Sequence, residues 1–303
     1  MALAEIARDA SKGTSLAEKA KELHSLFAGE AARGEAKGML TDATIAALRD
    51  DGFLGMWIPR CFGGSETGPV EFLEVIEQTS YSDGSTGWVL MAAQVAMGTA
   101  AAYLESGVAN KLFAQRMPVI AGQGAPNGRA DVEGSGYRLT GKWSYGSGLL
   151  HSEYIHTGAA VHEHGSPRML PGGRFPDIRI FILPIAQAKL TGNWDVLGLR
   201  ATGSVDYTID NVYVPEEMTH LQSANVAVQG GNLFKLRIFG LSTIGHTGFA
   251  LGIGRRILDE LARLARQETG HCASTRMPRM IVIAPLRTCQ PQPGSPIQNG
   301  SIS

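Results

Sequence analysis

The sequence predicts a segregated α+β fold: an N-terminal helical domain, a central antiparallel β-domain, and a further helix at the C-terminal side. Three observations predict it. Apolar residues keep helical spacing over the first hundred-odd positions. Near Pro118 they give way to strand-length runs divided by turn residues. Helical spacing returns from about Leu233. Helices followed by strands are not the strand–helix alternation of a parallel α/β fold. No Gly-x-Gly-x-x-Gly follows a strand and opens a helix, so a nicotinamide-type site finds no support.

Ser15 and Glu18 form a capping-box pair before Leu16, Ala20, Leu23 and Phe27. Thr41 to Leu48 starts a further helix, and Gly52 stands where a left-handed C-terminal residue is wanted. Pro69 suits a first helical turn, with Val70, Leu73, Ile76 and Glu77 following at helical spacing. Trp88, Met91, Ala92, Val95, Thr99 and Ala102 mark a buried helix rich in small residues. This helical domain is expected over residues 1–116.

The β-domain is expected over residues 117–221. Ala130 to Ser144 reads as a hairpin turning at Gly134-Ser-Gly136, and Tyr154 to Val161 and Ile178 to Leu183 as strands. Val205, Tyr207 and Ile209 alternate with Asp206, Thr208 and Asp210, the pattern of a strand with one solvated face that Pro215 stops. His162 to Pro176, polar and rich in Gly and Pro, reads as a surface loop. A further helix is expected over residues 233–268, with Leu251, Leu258, Leu261 and Ala265 in a stripe. Gly245, Gly248 and Gly252 lie on one face and would let a neighbouring helix come close; a helix interrupted there is the alternative. Residues 271–303 hold five of the 14 prolines and little periodicity, so they read as a disordered tail or as a segment foreign to the fold.

Composition narrows the class. The 303 residues are 44% hydrophobic and 18% charged with a net charge of -1, a soluble globular profile without a basic footprint for nucleic acid or anionic membrane. No apolar run reaches the ~18 residues of a membrane span, and Met1 to Lys12 has no signal-type apolar core. Cys61, Cys272 and Cys289 are an odd set without metal-ligand spacing, so no metal site or disulfide framework is expected and the cytoplasm is the expected compartment.

Four segments carry a resemblance. They are Leu48-Arg-Asp-Asp-Gly-Phe-Leu-Gly-Met-Trp-Ile-Pro-Arg-Cys-Phe-Gly-Gly64, Ser82-Asp-Gly-Ser-Thr-Gly-Trp88, Gly136-Tyr-Arg-Leu-Thr-Gly-Lys-Trp-Ser-Tyr-Gly-Ser-Gly148, and Trp194-Asp-Val-Leu-Gly-Leu-Arg-Ala-Thr-Gly-Ser-Val-Asp206. In order and spacing, over about residues 20 to 270, they resemble the acyl-CoA dehydrogenase superfamily. The loop Gly122-Gln-Gly-Ala-Pro-Asn-Gly128 and the strand Trp143-Ser-Tyr-Gly-Ser-Gly148 are more similar to its two-component flavin monooxygenases than to its dehydrogenases. That resemblance implies bound flavin, FMN or FAD, delivered reduced by a separate reductase. It also implies a barrel-like β-domain, a C-terminal four-helix bundle that is incomplete here, a C4a-(hydro)peroxyflavin that oxidises a small organic substrate, and a homo-oligomer assembled through that bundle. An FAD-dependent acyl-CoA dehydrogenase is the alternative, and a truncated non-catalytic remnant a second one.

The candidate flavin residues are Trp143, Ser144, Tyr145, Gly146 and Ser147, with Gln123, Ala125 and Trp88 nearby. An isoalloxazine has apolar faces and one polar edge, so an aromatic side chain, backbone N–H groups and a hydroxyl suit it. Ser147 is the candidate for the N5 side and the one catalytic candidate. Gln94 to Gly98 offers no histidine two turns beyond Trp88, which departs from the phenol-oxidising pattern. Other candidates carry equally simple readings: His162-Glu-His164 as a solvated loop, Asp50-Asp51 as a helix end, Arg200 as a surface ion pair, and His151 as a surface histidine. Of the bundle, only the first helix is legible. A frameshifted or truncated reading frame would explain the tail, and a specialised tail would too. With Leu251, Ile257, Leu258, Leu261 and Leu264 in search of partners, the chain alone is expected to self-associate.

Overall fold

The computed structural model describes residues 14–268; the expectations for residues 1–12 and for the tail 271–303 lie outside that range. Six helices come first: α1 Leu16–Glu22, α2 His24–Lys37, α3 Asp42–Asp50, α4 Pro69–Ser82, α5 Gly84–Tyr103 and α6 Ser106–Phe113. Ser15 and Glu18 close the capping box on α1, and Thr41 caps α3. Gly52 takes φ 86° beyond α3. α5 is buried on nearly every side and forms the axis of this part. Asp83 caps it, accepting from the backbone N–H groups of Ser85 and Thr86. Gly87 lets α5 lie against α4, because a Cβ there would overlap Ser80. Gln94 ties α5 to the preceding loop: its Oε1 accepts from Trp57 N–H and its Nε2 donates to Leu54 O, both at 2.8 Å.

Nine strands follow: β1 Ile120–Ala121, β2 Gly128–Glu133, β3 Gly136–Gly146, β4 Tyr154–Glu163, β5 Ser166–Pro167, β6 Ile178–Pro184, β7 Lys189–Thr191, β8 Val205–Pro215 and β9 Thr219–Leu221. They form one sheet in the order β7-β8-β3-β2-β4-β6-β9, with β1 and β5 paired to β4. The sheet encloses its own core of Tyr137, Leu139, Trp143, Phe181 and Tyr207. Two expectations need correction. The sheet is mixed, because β4 returns beside β2 and β1 and pairs parallel with both. The polar segment 162–176 is exposed, but parts of it join the sheet: β4 runs through His162 to Glu163 and turns into β5, and Met169 bridges Pro176. Asp177, buried next to it, binds Arg168 at 2.7 Å and Arg179 at 3.3 Å, which pays for the ordering of a segment with little apolar content.

The last helix, α7, spans Arg237–Glu268, and a 3-10 turn over Asn232–Leu236 precedes it, so the α-helix starts four residues later than the spacing suggested. Up to Glu260 it belongs to the compact unit that holds the rest of the fold, and its remaining turns fall in a second unit. The glycine face is continuous and packed. A Cβ at Gly245 would overlap Met91, one at Gly248 would lie 2.7 Å from Leu73 O, and one at Gly252 would overlap the Glu77 carbonyl. Arg255 pairs with Glu77 at 2.6 Å, and Tyr81 donates to Asp259 at 2.9 Å. One face of α7 is thus partnered by α4 and α5, while Leu251, Ile257, Leu258, Leu261 and Leu264 stay exposed.

Candidate functional site

A cleft of about 470 Å³ opens where α5, the segment 122–126, the end of β3, β4, Gln222 just after β9 and the start of α7 meet. Trp88, Met91, Ala92, Val95 and Ala96 of α5 form one wall, and Ile238, Phe239, Ser242 and His246 of α7 another. Gly122, Gln123, Gly124 and Ala125 form a third side, Tyr145 and Ser147 a rim, and His156 and Gln222 the remaining polar lining. The lining is mostly apolar with a few placed polar groups, the composition of small-molecule sites.

The loop 122–126 is held from three directions. Tyr207 OH accepts from Gln123 N–H at 3.1 Å, Trp143 Nε1 donates to Ala125 O at 3.2 Å, and Gln222 Nε2 donates to Gly124 O at 2.7 Å. Gly122 takes φ 143° and passes so close to the His156 carbonyl that no side chain fits there. At the rim Tyr145 takes φ 63°, which turns β3 out of register with β8 between Trp143 and Gly146 and leaves the Tyr145 ring 65% exposed. Ser147, two residues on, is buried.

His156 is the residue that sequence reasoning missed. It is almost fully buried yet lines the cleft, and its Nε2 lies 3.4 Å from Thr99 Oγ1. Thr99 donates its hydroxyl hydrogen to Val95 O at 2.7 Å, so the imidazole Nε2 carries the proton between them. Burial, reinforced by the neighbouring His220, pulls the His156 pKa down to about 3. The cleft therefore presents a neutral imidazole at ordinary pH. No histidine stands on α5 near Gln94, and His156 reaches the same cleft from β4. That placement depends on the β2–β4 pairing, which local sequence pattern does not reveal. His246, on α7 with its ring edge-on to Trp88, was also missed, because its helix spacing does not show which side chain of α5 it meets.

Residues 17–109 match the family model "Acyl-CoA dehydrogenase, N-terminal domain". That segment carries the N-terminal domain of the acyl-CoA dehydrogenase family. Relatives include the indole-3-acetate monooxygenase of Pseudomonas putida, 31% identical over 73% of this chain and 54% of that protein. The FADH(2)-dependent resorcinol hydroxylase, oxygenase component, of a Rhizobium species is 27% identical over 69% of this chain and 50% of that protein. The chain thus spans about half the length of such relatives. Among solved structures, XiaF from a Streptomyces species in complex with FADH2 and glycerol superposes with a TM-score of 0.71 at 24% identity, over 84% of this chain and 63% of that one. The HsaA monooxygenase of Mycobacterium tuberculosis does so with 0.72 at 24% identity, over 83% of this chain and 66% of that one. These likenesses show a shared fold.

The structure brings Trp88, Gln123, Ala125, Tyr145 and Ser147 together in the cleft. It does not bring Trp143 there: the ring stacks on Tyr207 in the β-core and its Nε1 donates to Gly158 O at 2.9 Å. Ring size and apolarity at an inward-facing strand position draw Trp143 into the core, and its link to the cleft is the bond to Ala125 O. Ser144 points to the opposite face, beside Lys142 and Thr208. Gly146 is covered by Leu149. The backbone N–H groups expected to meet a flavin edge are engaged within the chain at Gln123, at Ala125 (to Gln123 Oε1, 3.2 Å) and at Ser147 (to Tyr145 O, 2.8 Å). His151 is partly buried outside the cleft, with burial and Lys37 lowering its pKa to about 4. Arg200 is exposed, and Lys19 binds the Asp51 carbonyl at the end of α3.

Proposed function

We propose that the chain is the flavin- and substrate-binding portion of a flavin-dependent monooxygenase that receives reduced FMN or FAD from a separate reductase in the cytoplasm. The observation that carries the reading is the pairing at the cleft rim: Trp88 Nε1 donates at 3.0 Å to the buried Ser147 hydroxyl, next to the exposed Tyr145 ring. Aromatic surface beside one buried polar atom suits a flat ring with a polar edge. The monooxygenase relatives and the FADH2 complex of XiaF support the same reading.

Trp88, Tyr145 and Ser147 would hold the flavin, with Gln123 and Ala125 as neighbouring contacts. Reduced flavin supplies the two electrons with which dioxygen is divided between an oxygen atom inserted into the substrate and a molecule of water. The protein's part is to place and shield. Met91, Val95, Ile238 and Phe239 keep water from the reaction space. His156, neutral and with its Nε2–H held by Thr99, adds an uncharged polar surface to the cleft wall.

Two arms test this. Reduced FMN or FAD, dioxygen enriched in ¹⁸O and a panel of indoles and phenols should give a product carrying one ¹⁸O atom, read by mass spectrometry. Anaerobic addition of an acyl-CoA to the oxidised flavin complex should leave its absorbance unchanged; bleaching would assign the dehydrogenase reaction instead. Ser147→Ala is expected to weaken flavin binding about tenfold, since a charged or buried hydrogen bond is worth roughly 1–3 kcal/mol. Unchanged binding would remove Ser147 from the site.

A further inference from the structure

The Ser147 hydroxyl is the head of a chain of hydrogen bonds whose direction can be read from one end to the other. Thr202 Oγ1 lies 2.8 Å from the carbonyl oxygen of Leu199, which only accepts, so Thr202 donates there. Its single hydrogen is spent, and the 2.7 Å contact between Thr202 and Ser204 must be a donation from Ser204. The hydrogen of Ser204 is then spent in turn. The 2.7 Å contact between Ser147 and Ser204 is a donation from Ser147. Trp88 Nε1, a donor only, gives its hydrogen to Ser147 at 3.0 Å. Ser147, Ser204 and Thr202 are all buried, so no exchange with bulk water scrambles this order. The anchor is built as well. Leu199 and Gly203 take φ 57° and 53° on either side of the turn Arg200–Thr202, and Leu199 O also accepts from Trp194 Nε1 at 3.1 Å. The segment Trp194 to Ser204 has a physical task in this arrangement: it ends the chain on a carbonyl.

We propose that Ser204 and Thr202 are positioning residues that fix Ser147 as an acceptor toward the cleft, so that the site selects reduced over oxidised flavin. The inference rests on the flavin reading of the cleft. With its hydrogen held by Ser204, Ser147 can offer a ligand only a lone pair. The N5 atom of reduced flavin bears a hydrogen and satisfies that lone pair. The N5 atom of oxidised flavin is itself an acceptor, and two facing lone pairs are left unsatisfied.

The test measures dissociation constants of the full chain for oxidised FMN and FAD in air and for the dithionite-reduced forms under anaerobic conditions. The wild type is expected to bind the reduced form at least tenfold more tightly. Ser204→Ala frees the Ser147 hydrogen to turn toward the ligand, and the preference should fall about tenfold, mainly through tighter binding of oxidised flavin. Thr202→Val, which lets Ser204 turn back and donate to Ser147, should do the same, and Thr202→Ser should restore the wild-type ratio. A merely structural role would shift both constants in parallel and leave the ratio alone, and that result overturns the proposal. Should a variant fold poorly, the Trp88 indole N–H resonance of the flavin-free wild-type chain gives a separate reading. It is expected downfield and slow to exchange, as for a donor in a fixed bond, and a resonance typical of a solvated indole overturns the relay. Failure of both flavin forms to bind the wild type would remove the flavin reading itself, whereas binding with an unchanged ratio in the variants removes only this inference.

Discussion

At the scale of residues, the fold turns several polar groups into fixed, neutral parts. His151, His156 and His220 are held by burial at pKa values of about 4, 3 and 4, below the ordinary 6.5. Lys37 adds to the shift of His151 and Arg179 to that of His220. The folded state keeps these rings neutral, and the unfolded chain protonates them near pH 6.5, so below that pH unfolding takes up protons. Their contribution is complete above about pH 6.5 and is lost as pH falls toward 4, by up to about 1.4 kcal/mol per group per pH unit. Urea unfolding at pH 7.5 and 5.5 should therefore show a clear drop in midpoint, whereas a flat profile would mean these rings are not buried as described. The sequence marked Ser147, Tyr145 and Trp88 because the motif places them close together in the chain or on one helix face. It left His156 unmarked because nothing local distinguishes a histidine on an inward strand position that lines a cleft from one packed in a core. It misassigned Trp143 for the related reason that strand parity decides which side a ring enters, and the bulge at Tyr145 changes parity between Trp143 and Ser147.

At the scale of elements, α7 shows how far spacing alone can be read. The glycine face was legible from the four- and three-residue intervals, and the structure shows why the interval matters: Gly248 and Gly252 meet the backbone of α4, which cannot yield as a flexible side chain can. Gly248→Ala is expected to destabilise the chain by about 1–3 kcal/mol through overpacking. Gly254, with nothing within 4 Å of its virtual Cβ, provides the control: Gly254→Ala should stabilise by up to about 1 kcal/mol through helix propensity. Thermal melts of the two variants should move in opposite directions. The same direction for both would mean that α7 does not pack by its glycines. What spacing could not show was the β4 return beside β2, a pairing set by a crossover through the 3-10 turn Leu149–His151 rather than by any local signal.

At the scale of the whole molecule, the described chain presents an apolar stripe on α7. Leu251, Ile257 and Leu258 are 49%, 53% and 60% exposed, beyond what scattered surface residues account for. Each leucine or isoleucine left in water forgoes roughly 1.5–3 kcal/mol, so the 303-residue chain is expected to self-associate. Sedimentation velocity should show species larger than the monomer that dissociate in Leu258→Glu; a wild-type monomer at tens of micromolar would contradict this. The central claim is that the cleft beside Trp88 and Ser147 holds flavin, and hydrogen–deuterium exchange tests it most directly. Addition of anaerobically reduced FMN or FAD should slow exchange in residues 120–127 and 144–149 and at the N-terminal end of α5, and leave the outer face of β7 and β8 unchanged. Protection confined to that outer face, or none in the cleft at saturating flavin, would contradict the account.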